Sequence, residues 1–270
     1  MRMRAAALLP LALSLAAAVL PSPARADERA FKIPTRAGVT ETFAFDLPDQ
    51  AKAVAILFAG GEGVIDVVGA GGMAVIKRPG NFLIRSRDKF VAHGIATISL
   101  DAPSDESSGM SGEFRESADH AQDVAAVIAW ARKTIPAPVW LVGTSMGSIS
   151  AANAASRLAG TFDGLVLTSS VSAPNKNFPG RGSGVLSVAL DKIAAPVLVM
   201  DHVKDECGAS PPENADVIAR KLTASPRVEV KMMEGGDSPK SPPCEAFSYH
   251  GYLGVEDKAV DAIAQFMLAK

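Results

Sequence analysis

Short runs of consecutive apolar residues alternate with helical patterns along most of the chain, and this alternation restricts the possible folds most strongly. The run Ala53–Phe58 (AVAILF) and the run at residues 139–142 (VWLV) contain no polar residue. Strands that are covered on both faces of a parallel sheet have this composition. Eight strands are expected, at residues 31–33, 41–47, 53–58, 95–100, 139–142, 164–168, 197–200 and 228–232.

Helical segments separate most of these strands. After Ser117, which can cap a helix, the apolar residues Ala121, Val124 and Ile128 lie on one helical face, and Pro136 ends the pattern. Further helices are expected at residues 81–93, 147–158, 212–222 and 255–268. Strands that alternate with helices form a mostly parallel sheet with helices on both faces. The sequence therefore predicts an α/β fold around a mostly parallel eight-stranded sheet.

The first 26 residues have the organisation of a secretory signal peptide. Arg2 and Arg4 precede an apolar stretch at residues 5–20, and the small-residue triplet at residues 24–26 (ARA) follows as a cleavage site. The apolar stretch is shorter than the about 20 residues that span a bilayer, although an uncleaved anchor is the alternative. We expect cleavage after residue 26, export to the periplasm or the medium, and one domain over residues 27–270, which contain no repeat or linker.

Charge and composition exclude several classes of function. Of the 270 residues, 27 are Lys or Arg and 29 are Asp or Glu, so there is no basic excess of the kind that binds nucleic acid. No basic tract would hold the protein on an anionic membrane after cleavage of the signal peptide. Two cysteines cannot form a four-thiolate zinc site, and no metal site is expected. Any histidine chemistry must use His93, His120, His202 or His250.

A G-x-S-x-G pentapeptide at residues 143–147 lies between a predicted strand and a predicted helix. In such a turn the serine takes a strained conformation that exposes its hydroxyl, while the two glycines allow neighbouring backbone to pack closely. The following helix directs its first N–H groups at the reacting centre. Ser145 is therefore the predicted nucleophile, and a glycine-rich turn without chemistry is the alternative.

This strand–pentapeptide–helix unit, within the alternating pattern of the chain, resembles the α/β-hydrolase family. Many members carry a cap domain between the strand after the nucleophile helix and the strand that bears the acid. Here only residues 170–195 lie in that interval, so the resemblance is to a serine hydrolase without a large cap. In this family the acid and the histidine of the catalytic triad follow the serine in that order along the chain.

The acid of this family follows a late strand, often within the pattern P-V-L-V-x-H-G-x-x-D. Residues 196–205 (PVLVMDHVKD) match this spacing, which implies that Asp205 is the acid. The match is incomplete, because Asp201 and His202 stand where the family usually has histidine and glycine. Asp201, which is closer to the strand, is the alternative acid.

The resemblance places the base after the acid, in the loop before the last helix. His250 is the only histidine after residue 202 and is therefore the predicted base. The oxyanion hole is expected to consist of the N–H groups of Met146, which follows the nucleophile, and of Gly61, in the loop after an early strand. Glu62 is expected to turn its side chain away from the oxyanion or to contact a positive group on the substrate.

The two cysteines lie in the loops that carry the predicted acid and base. Cys207 follows Asp205 by two residues, and Cys244 precedes His250 by six. These loops must meet in the family fold, and disulfides persist in exported proteins. The resemblance therefore implies a Cys207–Cys244 disulfide, with two unpaired thiols as the alternative.

Together these residues imply an exported serine hydrolase that cleaves a small-molecule carboxylic ester through an acyl-enzyme on Ser145, without a metal or organic cofactor. The sequence does not separate esters from amides, peptides or thioesters. The non-enzymatic alternative is a ligand-binding protein on a hydrolase scaffold. No feature of the sequence determines the oligomeric state.

Overall fold

Ten strands lie in the residues that the computed structural model describes, which are 28–69, 71–173 and 184–269. The predicted signal peptide, residues 1–26, lies outside these ranges. The strands are β1 (Arg29–Pro34), β2 (Thr40–Asp46), β3 (Ala53–Phe58), β4 (Val67–Val68), β5 (Val75–Ile76), β6 (Ile95–Leu100), β7 (Val139–Thr144), β8 (Gly164–Thr168), β9 (Val197–His202) and β10 (Val228–Met233).

Eight of these strands form one sheet in the order β1-β2-β6-β3-β7-β8-β9-β10. The first two strands are antiparallel to each other, and β2 is antiparallel to β6. All pairs from β6 to β10 in this order are parallel. The predicted mostly parallel eight-stranded sheet is therefore confirmed.

Helices cover both faces of this sheet, also as predicted. In one core layer α4, α5 and α6 pack on the sheet, and in the other α1, α2 and α7 do so. In β3 the side chain of Ile56 enters the first layer and that of Leu57 enters the second, which is why the strand is apolar throughout. The helices are α1 (Phe82–Arg85), α2 (Arg87–Ala92), α3 (Gly112–Arg115), α4 (Ala118–Thr134), α5 (Met146–Arg157), α6 (Asn214–Lys221) and α7 (Glu256–Leu268).

The single helix expected at residues 81–93 is two short helices in the structure. The break falls at Ser86, which is fully buried between α1 and α2. Here the guanidinium of Arg87 donates to the carbonyl of Ile84 at 2.8 Å. A side chain thus satisfies a carbonyl that a continuous helix would pair with a backbone N–H.

A hairpin and a one-turn α-helix have no counterpart among the predictions, and neither do three short 3₁₀ helices at Gly184–Ser187, Leu190–Lys192 and Tyr249–Gly251. The β4–β5 hairpin consists of two-residue strands in a glycine-rich segment. α3 is a single turn whose cap is Ser111, with the hydroxyl accepting from the Phe114 N–H at 3.0 Å. Elements this short contain no hydrophobic period that a sequence could reveal.

The parallel strands β3, β7 and β9 end at one edge of the sheet, and the predicted catalytic residues follow these ends. Gly61 lies after β3, Ser145 directly after β7, and Asp205 shortly after β9. Ligands of open α/β sheets bind outside the carboxyl ends of the strands. This edge is therefore where the fold places the candidate site. In the described part of the chain, no helix has the length and apolar character needed to cross a membrane.

Candidate active site

Ser145 occupies the turn between β7 and α5 in a strained backbone conformation. Its φ is +52°, and such positive values cost a residue with a side chain about 1–3 kcal/mol. The Ser145 N–H donates to the Thr168 carbonyl at 3.0 Å. The Ser145 carbonyl accepts from the Ser148 N–H at 2.9 Å and from the Ser148 hydroxyl at 2.6 Å. These bonds on both sides of the residue hold the turn that presents its side chain.

The glycines around this turn are required by close backbone contacts. A Cβ on Gly147 would lie 2.1 Å from the Phe58 carbonyl oxygen, and one on Gly143 would lie 2.4 Å from the Gly147 carbonyl oxygen. Gly60 is under the same constraint, since its Cβ would lie 2.8 Å from the Cβ of Ser145. The turn at Ser145 therefore packs directly against the end of β3 and the loop that follows.

The acid loop and the histidine loop meet at a buried hydrogen bond. Asp205 Oδ2 lies 2.7 Å from His250 Nδ1, and both side chains are almost completely buried. The second carboxylate oxygen, Oδ1, accepts from the Cys207 N–H at 2.8 Å, which fixes the plane of the carboxylate. With Nδ1 directed at the carboxylate, His250 Nε2 is the ring nitrogen left for chemistry.

Asp201, the alternative acid, lies within β9 and is also buried. Its Oδ1 has no hydrogen-bond partner among the described residues, and the carboxylate that contacts His250 is that of Asp205. Burial, and then the neighbouring charge of Asp205, raise the pKa of Asp201 well above its ordinary value, which favours the neutral form. An acid that stabilises an imidazolium must be ionised, so the geometry and the charge both favour Asp205.

Backbone contacts hold His250 in place. Its carbonyl accepts from the Ser169 hydroxyl at 2.8 Å, and its N–H donates to the Ser248 hydroxyl at 3.2 Å. Arg85 Nη2 donates to the carbonyl of the next residue, Gly251, at 2.5 Å. Ser169 directly follows β8 and has a φ of +42°, so this strand also contributes a residue to the site.

The other three histidines do not line the candidate site. His93 contacts Asp261 at the surface at 2.8 Å. Both ring nitrogens of His202 are hydrogen bonded to backbone groups. Burial, followed by the charges of two nearby arginines, lowers the pKa of His120 to about 3, so its ring stays neutral. The ring nitrogens of His120 and His250 Nε2 have no hydrogen-bond partner in the described ranges, but of these two side chains only that of His250 lines the candidate site.

A cavity of about 380 Å³ brings Ser145 and His250 into one space. This volume fits a small acyl group with part of its leaving group. The backbone of Gly60 and Gly61 is part of its lining. The lining side chains are mainly apolar and include Val64, Ile65, Phe82, Ala246 and Phe247.

The N–H groups of Gly61 and Met146 are available to a ligand. Met146 is the first residue of α5, where a helix leaves its N–H groups without intrahelical partners. Gly61, with a φ of +59°, lies in a turn closed by a bond from the Gly63 N–H to the Gly60 carbonyl at 3.1 Å. Neither amide has a backbone acceptor in the described residues. Gly61 lines the cavity, whereas the Met146 side chain packs into the core behind Ser145.

A disulfide joins Cys207 and Cys244, with the Cα atoms 4.6 Å apart. It links the segment after Asp205 to the segment before His250. Cys207 is buried in the core, and Cys244 borders the cavity. A second contact between the same two loops is the stacking of the rings of His202 and Tyr249, whose centroids are 4.9 Å apart.

The sequence matches the family described as serine aminopeptidase, S33, over residues 82–235, which is more than half of the chain. The chain belongs to this family of α/β serine hydrolases. No curated protein sequence matches it.

Solved structures share the fold of this S33 family member at low sequence identity. Est1E from Butyrivibrio proteoclasticus has a TM-score of 0.60 at 16% identity, covering 89% of this chain and 98% of that chain. XC6422 from Xanthomonas campestris, an α/β serine hydrolase without lid, has a TM-score of 0.56 at 15% identity, covering 90% of this chain and 97% of that chain. The esterase Pf2001 from Pyrococcus furiosus has a TM-score of 0.59 at 14% identity, covering 89% and 91%.

Glu62 has a positive neighbour within this S33 family member itself. Its exposed carboxylate lies 3.5 Å from the guanidinium of Arg78, and Arg78 also contacts Asp66 at 2.7 Å. Arg78 lines the cavity. Of the two expectations for Glu62, a side chain turned away from the oxyanion or a contact with a positive group of the substrate, neither included this contact with Arg78 of the same chain.

Three polar residues at or behind the site were missed from the sequence. Besides Ser169, they are Asn81, which lines the cavity and caps α1 by accepting from the Leu83 N–H at 3.1 Å, and Arg115, which donates to the Gly61 carbonyl at 3.0 Å. Asn81 could have been recognised as a cap before a helical pattern. Nothing near Ser169 or Arg115 in the sequence indicates burial. No cluster of His, Cys, Asp and Glu in the described residues could hold a metal ion.

Proposed function

We propose that Ser145, His250 and Asp205 form the catalytic triad of a serine hydrolase that cleaves small carboxylic esters. The observation that carries this proposal is the buried 2.7 Å contact between Asp205 and His250, on a ring that shares a cavity with Ser145. Met146 and Gly61 are the proposed oxyanion donors because their N–H groups are unpaired and flank the nucleophile.

In the proposed reaction, Ser145 Oγ attacks the carbonyl carbon of the ester while its proton passes to His250 Nε2. The carbonyl electron pair moves onto oxygen, which receives hydrogen bonds from the N–H groups of Met146 and Gly61. Asp205 stabilises the imidazolium that forms. The tetrahedral intermediate then expels the alcohol, which takes the proton from His250. Water attacks the acyl-enzyme by the same steps in the second half, releasing the carboxylic acid.

Two features support an ester substrate. Est1E is similar in fold to this chain, and so is Pf2001, which is described as an esterase. The cavity walls are mainly apolar and suit an acyl chain.

Cleavage of amides or peptides is the second candidate, because the matching family is described as serine aminopeptidases. Glu245, a carboxylate in the cavity wall, could pair with a substrate amino group. Either substrate class would use the same triad.

Labelling with a fluorophosphonate probe tests the nucleophile. We expect the wild type to be labelled and Ser145→Ala to lose all labelling, while Ser156→Ala, on the far part of α5, is labelled like the wild type. Folded wild-type protein that is not labelled would instead indicate a ligand-binding protein. A panel of p-nitrophenyl esters of increasing acyl length, with amino-acid p-nitroanilides alongside, then decides between the two substrate classes by kcat/KM.

We further propose that residues 1–26 are a cleaved signal peptide and that the mature protein is exported. The Cys207–Cys244 disulfide supports this, because disulfides persist in oxidising compartments. Mass spectrometry of the full-length gene product should find an N-terminus at Asp27 in the exported fraction. A protein that retains Met1 and stays with the cells would contradict export.

A further inference from the structure

Arg115 is fully buried at the end of α3, with 0% of its surface exposed. No carboxylate among the described residues forms an ion pair with it, and its Nε has no hydrogen-bond partner there. A buried cation without a counter-ion opposes folding, because its desolvation is not compensated. Stability therefore does not explain why this side chain is an arginine.

The guanidinium connects the two elements that carry the proposed oxyanion donors. Nη2 donates to the Gly61 carbonyl at 3.0 Å, and Nη1 donates to the Ser150 hydroxyl at 2.8 Å. Gly61 belongs to the turn after β3, and Ser150 lies in α5, the helix that begins with Met146. One planar group thus bridges the loop and the helix whose N–H groups face the nucleophile.

The turn at residues 60–63 is shaped around this guanidinium. A Cβ on Gly63 would lie 2.6 Å from Arg115 Nη2 and 2.3 Å from the terminal methyl group of Met110. The N–H of Met110 also donates to the Glu62 carbonyl at 2.9 Å, so Met110 holds this turn as well as Arg115. The arginine is therefore part of how the Gly61 N–H is oriented.

We propose that Arg115 is a positioning residue that stabilises the reaction's oxyanion, by fixing the Gly61 turn against α5 and by placing an uncompensated positive charge behind it. This inference rests on the proposed serine-hydrolase function. In the water-free interior a fixed charge acts strongly on charge that develops nearby. Burial lowers the pKa of Arg115 only to about 10, so the group is cationic at neutral pH. The adjacent His120 ring is neutral and does not compete with this charge.

Three variants separate this role from a structural one: Arg115→Met, which removes the charge at similar length, Arg115→Lys, which keeps it, and Ser150→Ala, which removes only the contact with α5. For each we would measure kcat and KM on p-nitrophenyl butyrate, the inhibition constant of phenylboronic acid, and the melting temperature. The boronic acid forms a tetrahedral anion on the nucleophile and therefore reports on the oxyanion site. Loss of a direct oxyanion donor lowers kcat by about 10²–10³, and an indirect contribution is expected to be smaller.

Arg115→Met should lower kcat by about 10- to 100-fold and keep KM within about threefold of the wild-type value. It should raise the inhibition constant of phenylboronic acid by a factor similar to the loss of kcat. Its melting temperature should be unchanged or raised. Arg115→Lys should recover most of kcat, and Ser150→Ala, which removes the contact with α5 but keeps the charge, should lower kcat by a smaller factor of about 3- to 10-fold. A kcat for folded Arg115→Met within twofold of wild type would overturn the proposal, as would equal losses in the Lys and Met variants. If Arg115→Met does not fold, the Lys variant decides: kcat within about tenfold of wild type supports the proposal, and a larger loss overturns it. Wild-type protein that neither labels nor hydrolyses would refute the hydrolase function itself, which is a distinguishable result.

Discussion

The two sides of the candidate site are held by different kinds of contact. On the nucleophile side, Ser145 is fixed by backbone packing between β3, β7 and α5, at glycines where no Cβ fits. On the acid–base side, Asp205 and His250 lie in two loops joined by a disulfide, a hydrogen bond and the His202–Tyr249 stack. The first side is held by main-chain packing at the end of the sheet, whereas the second side is held mainly by contacts between side chains.

This difference predicts that substitutions on the two sides have different effects. Backbone packed at van der Waals distance cannot accept even one added carbon without moving the sheet, so changes there should affect folding. Side-chain contacts between loops can be removed singly, so changes there should affect catalysis or stability in graded amounts. The following variants test this comparison.

Among these variants, we expect Asp205→Asn to change activity most. Losing the carboxylate should lower kcat by about 10⁴-fold with little change in melting temperature, because the imidazolium is no longer stabilised. Asp201→Asn, the matched variant on the same strand end, should keep kcat within about threefold of wild type, since Asp201 does not contact the histidine. Steady-state kinetics on p-nitrophenyl butyrate measure both. If Asp201→Asn lost more kcat than Asp205→Asn, Asp201 would be the acid.

Gly147→Ala tests the backbone-packed side. Its Cβ would meet the Phe58 carbonyl oxygen at 2.1 Å, so we expect the free energy of unfolding to fall by about 3 kcal/mol or more. Gly208→Ala, near the disulfide on the other side of the site, places its Cβ where no atom lies within 4 Å and should change stability by about 0.5 kcal/mol or less. Urea denaturation gives both values. Equal stabilities would show that the nucleophile turn is not tightly packed.

Removing the disulfide tests the acid–base side. For cysteines 37 residues apart, loop entropy predicts about 4 kcal/mol, and measured values are often lower, so Cys207→Ala/Cys244→Ala should lose about 2–3 kcal/mol. The kcat should fall less than about tenfold, because the Asp205–His250 bond and the ring stack remain. Wild type treated with dithiothreitol should behave like the double variant. Two freely alkylatable thiols in the untreated native protein would show that no disulfide forms.

The smallest expected effect is the pH dependence contributed by Asp201. Its pKa is raised in the folded state, so above about pH 4 the folded protein keeps a proton that the unfolded chain has released, and this group destabilises the fold increasingly as pH rises. Asp201→Asn should therefore be more stable than wild type at pH 8, and the difference should shrink toward pH 4. Urea denaturation across this range measures it. A difference that is constant with pH would show that Asp201 has an ordinary pKa.

Much of the fold followed from local patterns. Ala53–Phe58 is apolar on both faces because helices cover both sides of β3, and the cap at Ser117 begins α4 as expected. The break at Ser86 was not visible, because the Arg87 side chain that satisfies the Ile84 carbonyl there could equally have pointed to solvent.

The candidate site was only partly accessible from the sequence. The pentapeptide made Ser145 the predicted nucleophile, and the order of residues along the chain left His250 as the predicted base. The choice between Asp201 and Asp205 needed the structure, because both lie at the end of one strand and differ in which neighbour they reach. The contacts of Ser169 and Arg115 with the site could not be recognised from the sequence. Their partners, the His250 and Gly61 carbonyls, are 81 and 54 residues away along the chain.

Local sequence patterns were enough to predict the α/β fold, the strand–turn–helix around Ser145 and the short list of catalytic candidates. These depend on periodicity and turn chemistry within a few residues. The three-dimensional arrangement was needed to show that Asp205 contacts His250, that Asp201 is buried with a raised pKa, and that the guanidinium of Arg115 donates to the Gly61 carbonyl. The physical reason is that hydrogen-bond partners, desolvation and the field of a buried charge depend on distances between segments far apart in the chain, which no local pattern encodes.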